Sequence, residues 1–160
     1  MKKGFTLMEV IIAIAIILAA LITLTNLISS SVAGIRPGKS KIIATNLAQE
    51  GLELVRNIRD NNWLAYKRES DNWDDGLGAG DYRAQYDVGS LLSFVSVPLK
   101  IDSNGFYQYD IGSNTVFYRK ITITQTEDSW IGVLSEVTWQ EKGRSYNIGA
   151  RTNLYNWLEQ

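Results

Sequence analysis

The chain contains neither cysteine nor histidine in its 160 residues. Without cysteine it has no disulfide framework, no thiolate zinc site and no cysteine nucleophile. Without histidine it has no imidazole base, no histidine-ligated metal and no Ser-His-Asp triad. Carboxylates are numerous, but the sequence fixes no pair of them on one face of a regular element in a manner suited to acid–base catalysis. We therefore expect a protein that is not an enzyme, with no catalytic residue, no metal and no cofactor.

An excess of charge of either sign is also missing. Lys and Arg together number 16 against 17 Asp and Glu, so the formal net charge is -1. That balance offers no broad basic surface for nucleic acid. Hydrophobic residues make up 45% and charged residues 21%, which argues against wholesale disorder. The sequence predicts a single domain with an appendage, and no specific nucleic-acid or small-molecule ligand.

The amino terminus carries a short cationic leader followed by a long apolar run. The leader is Met1-Lys2-Lys3-Gly4, and every residue from Val10 to Ile22 is apolar. Counted from Phe5 to Ile28 the segment has about 24 residues, enough to cross a hydrocarbon core of roughly 30 Å as a helix. The two lysines hold the amino end in the cytoplasm. We expect a single-pass precursor in the cytoplasmic membrane, with its bulk outside the cytoplasm.

Glu9 is the one charged residue inside this apolar segment. A carboxylate in hydrocarbon is costly unless it lies near the interface or has a partner. If the chain were cut after Gly4, Phe5 would expose a new amine and Glu9 would become the fifth residue of the product. An amine and a carboxylate attract strongly in a low dielectric, provided that good geometry offsets their desolvation.

The stretch Lys2-Lys3-Gly4-Phe5-Thr6-Leu7-Met8-Glu9-Val10 resembles the class III signal of type IV pilins and type II secretion pseudopilins. The resemblance implies that a prepilin peptidase cuts between Gly4 and Phe5 and methylates Phe5. It implies that Glu9 serves assembly by pairing with the amine of a neighbouring subunit. The implied partners are the peptidase, other pilin or pseudopilin subunits, an inner-membrane assembly platform and, before assembly, membrane lipid.

An ordinary secretory signal peptide is the alternative for this end of the chain. Ser31-Val32-Ala33 followed by Gly34 offers small residues at the positions that a signal peptidase recognises. The apolar run is longer than the usual 7 to 15 residues, and Glu9 would have no role. On this alternative the chain is a secreted or anchored binding domain, for example for carbohydrate.

Beyond the apolar run, Pro37 predicts a kink or break near Arg36 because proline removes a backbone hydrogen bond. From Ser40 to Asp60 an apolar stripe at helical spacing predicts an amphipathic helix; it contains Ile43, Leu47, Leu54 and Ile58, broadened by Ala44, Ala48, Leu52 and Val55. The opposing face carries Glu50, Glu53, Arg56, Arg59 and Asp60, with Glu53–Arg56 and Arg56–Asp60 at pairing distance. Residues 44–60 resemble the helix of the type IV pilus modification group (minor pilin V), which is related to pseudopilin I. We expect a structural subunit, either a minor pilin of a type IV pilus or a pseudopilin of a type II secretion system.

Residues 61–81 form a polar connection that ends in an Asp- and Gly-rich stretch. Asp71, Asp75 and Gly76 fit positions one, five and six of a helix-loop-helix calcium site. Trp73 occupies the third position, and Tyr82 stands where a bidentate glutamate is required. A flexible glycine-rich surface loop is favoured, and calcium binding is left open.

The carboxyl-terminal half predicts an antiparallel meander. Alternating apolar residues indicate strands over 116–126 and 130–140 and a third strand that follows the turn at 141–144. Further strand candidates are 82–88 and 106–111, with a turn at 102–105. Trp139 and Tyr146 fall on the core face, while Trp63, Trp73, Trp130 and Trp157 are not placed. A surface of exposed aromatic residues that binds a sugar or mediates adhesion is a further alternative.

The predicted fold class is therefore α+β and pilin-like, with one long amino-terminal helix packed on a carboxyl-terminal antiparallel sheet. The expected organisation is a leader over residues 1–4, a transmembrane or filament-core helix over 5–33 and a globular head over 34–160. The head contains the amphipathic helix 40–60 and the sheet 82–155. The expected final location is a pilus or related filament, at the cell surface or in the periplasm.

Overall fold

The computed structural model describes residue 4 and residues 6–66, 72–127 and 130–156, with no description of the side chains of 32–37, 66 and 125–127. The chain divides into two compact units, Met1–Ser40 and Lys41–Gln160. One helix, α1, spans Leu7–Tyr66 and contributes to both units. Among the described residues eight strands follow it, all in the second unit. The fold is α+β and pilin-like, with a long apolar amino-terminal helix and antiparallel sheets.

Helix α1 has no break at the expected point. Its helical conformation runs through Arg36 and Pro37. Proline withholds a single backbone donor, and the hydrogen bonds on either side of it are enough to hold the helical conformation. The expected break is therefore wrong, whereas the kink remains a prediction.

The larger of two sheets has five strands in the order β2-β1-β6-β7-β8, and every neighbouring pair is antiparallel. The strands are β1 Gly80–Arg83, β2 Leu92–Ser93, β6 Phe117–Glu127, β7 Trp130–Glu141 and β8 Arg144–Tyr155. The smaller sheet has the order β4-β3-β5 and contains β3 Lys100–Ile101, β4 Tyr107–Gln108 and β5 Ser113–Asn114. The predicted meander is confirmed as β6, β7 and β8. The candidates at 82–88 and 106–111 are too long, since only Gly80–Arg83 and Tyr107–Gln108 pair there.

Two turns have the expected residues. Lys142 and Gly143 both have positive φ, 51° and 75°, between β7 and β8. The Asp102 carboxylate accepts hydrogen bonds from the backbone N–H groups of Asn104 and Phe106, and Gly105 has a φ of 89°. Short side chains that bond their own backbone, followed by glycine, stabilise such turns.

The core of the second unit lies between the larger sheet and the part of α1 from Lys41 onward. Val55 and Ala44 of the helix are fully buried, and Leu54 and Ile43 are only partly buried. Of the four residues predicted for the stripe, Leu47 and Ile58 are buried as expected, while Ile43 and Leu54 lie at its margin; Ala44, Ala48, Leu52 and Val55, expected to broaden it, are all buried. The odd-numbered residues of β6 and β7 face this helix, as their alternation predicted.

Two polar residues occupy core positions in the sheet. Arg119 of β6 is 1% exposed, and Ser135 of β7 is completely buried. The Arg119 guanidinium donates to the carbonyls of Leu47 and Ala84 at 3.1 and 2.6 Å, and it lies 3.1 Å from the Glu50 carboxylate. Glu50 therefore does not belong to the solvated charged face on which the sequence placed it.

The remaining helix charges follow the prediction in part. Arg56 pairs with Glu53 as expected. Asp60 pairs with its neighbour Arg59 at 2.8 Å instead of with Arg56, so the second predicted pair is wrong. The Arg59 guanidinium also lies 4.3 Å from the centre of the Trp63 ring, an arrangement that favours a cation–π contact.

The Asp- and Gly-rich connection packs into the core where the structure describes it. Trp73 is 8% exposed and Leu77 is fully buried. The Asn62 side chain of α1 donates to the backbone carbonyls of Trp73 and Asp75 at 3.2 and 2.8 Å. The expectation of a flexible surface loop is wrong at these residues, because two apolar side chains anchor the stretch. Asp71 lies outside the described residues.

Candidate functional site: the amino-terminal helix

The described start of the chain is dominated by an exposed apolar helix. The segment Leu7–Ser31 has 25 residues, none of them buried, and its most apolar 18-residue stretch has a mean hydropathy of 2.8. At 1.5 Å per residue it is about 38 Å long, which is enough to cross a bilayer core of roughly 30 Å. Its large apolar side chains range from 45% exposed at Val10 to 82% at Leu7. Within the described part of the chain, nothing covers this surface.

Three hydroxyl side chains of the segment form hydrogen bonds within the helix. Thr23 donates to the carbonyl of Ala19 at 2.8 Å, and Thr25 donates to that of Ile22 at 2.9 Å. Ser30 donates in the same way to Leu27 at 2.8 Å. Hydroxyl groups bonded back to the preceding turn leave no free donor to be desolvated. These residues are thus compatible with hydrocarbon or with a tightly packed helix bundle.

Thr6 caps the start of the helix. Its hydroxyl accepts a hydrogen bond from the backbone N–H of Glu9 at 3.3 Å, and its carbonyl accepts from Glu9 and Val10. This is half of a capping box, in which Thr or Ser at the cap is followed three residues later by Glu or Gln. A carboxylate in the first turn also interacts favourably with the helix dipole. Glu9 therefore stabilises the helix start, a role that the Thr-x-x-Glu spacing signals and that the sequence analysis missed.

Of the three residues predicted for processing and assembly, the structure describes two. Gly4 and Glu9 are both exposed, and Phe5 lies outside the described residues. An exposed Glu9 in the first turn of an exposed apolar helix is open to a partner from another chain. Glu53, Arg56, Asp60 and the other charges of the second unit are distant in sequence from this end.

The described residues hold no group of three or more His, Cys, Asp or Glu side chains that could bind a metal ion. Two tyrosines of the second unit have altered acidity. Burial raises the pKa of Tyr107 and Tyr109, and the Glu50 carboxylate adds to both shifts, while Arg119 and Arg83 oppose the shift at Tyr109. Tyr109 is buried in the core, where its hydroxyl donates to the backbone carbonyl of Arg119 at 3.3 Å, and Tyr107 packs against the same core while partly exposed.

Comparison with known proteins gives one match, at the amino terminus. Residues 1–25 match the family described as the prokaryotic N-terminal methylation motif. No curated protein and no solved structure matches the chain. The match contains the cationic leader, Glu9 and most of the exposed apolar helix. The first 25 residues of this chain are therefore a prepilin-type signal of the kind that begins type IV pilins and pseudopilins.

Proposed function

We propose that this protein is a structural subunit of a type IV pilus or related filament, and specifically a minor pilin. The observation that carries the proposal is the exposed 25-residue apolar helix, which begins inside a methylation motif and has one acid, Glu9, in its first turn. An exposed surface of this kind needs a cover, and lipid before assembly and neighbouring helices afterwards both provide one.

In the proposed processing step, a prepilin peptidase hydrolyses the amide between Gly4 and Phe5, and the new amine of Phe5 is methylated. The leader leaves with Lys2 and Lys3, so the mature chain has 14 basic and 17 acidic residues. Until then the two lysines hold the amino end in the cytoplasm, and the head lies outside the cytoplasm.

In the proposed assembly step, the Glu9 carboxylate pairs with the Phe5 amine of a neighbouring subunit. Both groups are then in a low dielectric, where a close pair is strongly attractive and an unpaired charge is costly. The contact is head-to-tail, since each subunit offers its amine to one neighbour and its carboxylate to another. A head-to-tail contact that does not close into a ring propagates as a helical filament.

Variants of Glu9 and Thr6 separate the charge of Glu9 from its effect on the helix start. Glu9→Gln keeps the capping-box pattern and removes the charge, Glu9→Ala removes both, and Thr6→Ala removes the cap at a cost of about 1 kcal/mol. The measurement is the ratio of protein in sheared filaments to protein in the membrane, together with the cleavage state. We expect all three variants to insert and to be cleaved, both Glu9 variants to lose incorporation, and Thr6→Ala to retain it.

Two results would contradict the proposed pairing. One is equal incorporation of Glu9→Ala and the parent chain. The other is normal incorporation of Glu9→Gln with failure of both Glu9→Ala and Thr6→Ala, which would assign Glu9 to capping alone. Recovery of the parent in sheared surface filaments supports a pilus. Processed protein retained in the periplasm, with a secretion defect on deletion, supports the pseudopilin alternative.

A further inference from the structure

The face of the larger sheet that points away from α1 carries a cavity of about 500 Å³ near the turn between β7 and β8. The residues that shape it include Ser96, Val116, Tyr118, Thr138, Gln140 and Ser145. Its volume lies within the range of about 300–1,000 Å³ that is usual for small-molecule sites. The cavity belongs wholly to the second unit and is distinct from the apolar helix.

Strand register explains why these side chains meet. Tyr118 pairs with Thr138 across β6 and β7, and Gln140 pairs with Ser145 across β7 and β8. Even-numbered residues of β6 and β7 point to the face opposite the core, because side chains alternate along a strand. Ser96, from the segment after β2, adds a wall beside this floor.

The lining is rich in hydroxyl groups that are free to bind. Within the described part of the chain, the hydroxyls of Ser96, Tyr118 and Thr138 have no hydrogen-bond partner. The Gln140 amide reaches the Ser145 hydroxyl at only 3.4 Å, a long and weak contact. Each hydroxyl can donate and accept, and the amide supplies both functions. None of the described residues that line this cavity is charged.

A second cavity of about 150 Å³ continues the first one along the sheet. The two share Ser96, Tyr118 and Thr138. The second adds Phe94, Arg119 and the cross-strand neighbours Lys120 and Glu136. Tyr118, which is 37% exposed, thus stands between two connected parts of one groove. An elongated groove with an aromatic ring at its middle fits a ligand longer than a single ring.

We propose that this groove binds a neutral oligosaccharide. The Tyr118 ring offers an apolar face for the C–H groups of one sugar unit, and its hydroxyl together with those of Ser96 and Thr138 bonds the sugar hydroxyls. Gln140 extends the polar contacts toward Ser145. An anionic polymer is disfavoured, because no described residue of the larger cavity is a cation. Of the two cations beside the smaller cavity, Lys120 lies opposite Glu136, and the Arg119 guanidinium is held in the core by Leu47, Ala84 and Glu50. This activity is independent of filament assembly.

The test measures binding to the full-length protein in lipid nanodiscs, since sugar-based detergents would compete. The probes are a panel of neutral oligosaccharides built from glucose, galactose, mannose and N-acetylhexosamine units, with trigalacturonic acid as the anionic comparison. We expect at least one neutral probe to bind at millimolar concentration or below. Tyr118→Ala should weaken that binding about tenfold or more, and Gln140→Ala should weaken it less.

The matched control is Tyr155→Ala. Tyr155 is a 52% exposed tyrosine on the same face of the sheet, where it contacts Trp130 outside the groove. Unchanged binding in this variant, with an unchanged unfolding midpoint for Tyr118→Ala, would support the proposal. The proposal is overturned if no neutral probe binds, if only trigalacturonic acid binds, or if Tyr118→Ala and Gln140→Ala both bind like the parent.

Discussion

At Gly51 the helix α1 lies close against the sheet, and substitution of this residue tests that packing. A Cβ atom added at Gly51 would overlap the Ser135 hydroxyl and would lie 3.1 Å from Ser135 Cβ and 3.2 Å from Arg119 Cδ. Alanine in place of glycine inside a helix ordinarily stabilises it by about 1 kcal/mol. Overpacking a filled core costs about 1–3 kcal/mol, and both contacting residues are held in the core.

Because the added atom overlaps the Ser135 hydroxyl, we expect an overpacking cost in the upper part of that range, about 2–3 kcal/mol. After the helix gain of about 1 kcal/mol, Gly51→Ala should lower the free energy of unfolding by about 1–2 kcal/mol, opposite in sign to the helix preference. The assay is urea unfolding of the full-length protein in micelles, followed by the fluorescence of the buried tryptophans. Gly38→Ala is the matched control, because Gly38 is a helical glycine with nothing within 4 Å of the added atom. That variant should be neutral or more stable by up to about 1 kcal/mol.

A double variant identifies the cause. Ser135→Gly removes both atoms that the new methyl group meets on β7, so Gly51→Ala combined with Ser135→Gly should be less destabilised than the two separate effects predict. If Gly51→Ala stabilises the protein as much as Gly38→Ala does, the helix does not approach the sheet at this point and the argument is refuted.

Three further outcomes test the head. Val55→Asp places a charge in the core and should lower the free energy of unfolding in urea by about 3 kcal/mol or more. The control Glu53→Gln, at an exposed residue of the same helix, should change it by less than about 0.5 kcal/mol. Similar midpoints for the two variants would refute the packing of this helix on the sheet. Glu50→Ala should cost about 2 kcal/mol because it leaves the Arg119 guanidinium with carbonyl partners alone, and adding Arg119→Met should recover part of that loss. Burial raises the pKa of Tyr109 above its ordinary value of 10.0, so the unfolded chain loses this proton at a lower pH than the folded protein does. The contribution of the protonated Tyr109 to the free energy of unfolding is therefore complete below about pH 10 and is lost as the pH rises further. Tyr109→Phe should reduce the alkaline loss of stability measured by urea titrations.

The elements that the sequence predicted well are those with a long regular pattern. The alternation of apolar residues located β6, β7 and β8 to within a few residues, and the helical stripe identified the face of α1 that packs on them. The strands β2, β3, β4 and β5 have only two residues each, which is too short for a period of two to be visible. They form by pairing with segments nearby in the chain, β2 with β1 and β3 with both β4 and β5.

The polar core residues could not be predicted from hydrophobic pattern alone. Arg119 and Ser135 have the parity of core positions, yet their residue types indicate the surface. Arg119 is tolerated in the core because Glu50 and two backbone carbonyls meet its guanidinium, and those partners come from two other parts of the chain. Nothing in the sequence distinguishes Gly51 from another glycine in a helix. The reason for a glycine at this position is the close approach of the sheet, which only the structure shows.

At the amino terminus the sequence supplied most of the site. The apolar length, the isolated Glu9 and the leader all followed from residue order, and the methylation motif agrees with them. The capping contact between Thr6 and Glu9 is also signalled in the sequence, by the Thr-x-x-Glu spacing. Which neighbour meets Glu9 depends on other chains, which one sequence does not specify.

The most direct test of the central claim is the mass of the amino-terminal peptide of the mature protein purified from its own membrane or filament. The proposed processing predicts a peptide that begins at Phe5 and carries one methyl group on its amine. A mature chain that begins at Gly34 would show an ordinary signal peptide, and one that still begins at Met1 would show that Gly4 and Phe5 are not a cleavage site. Either result would contradict the proposal that this chain is a processed filament subunit.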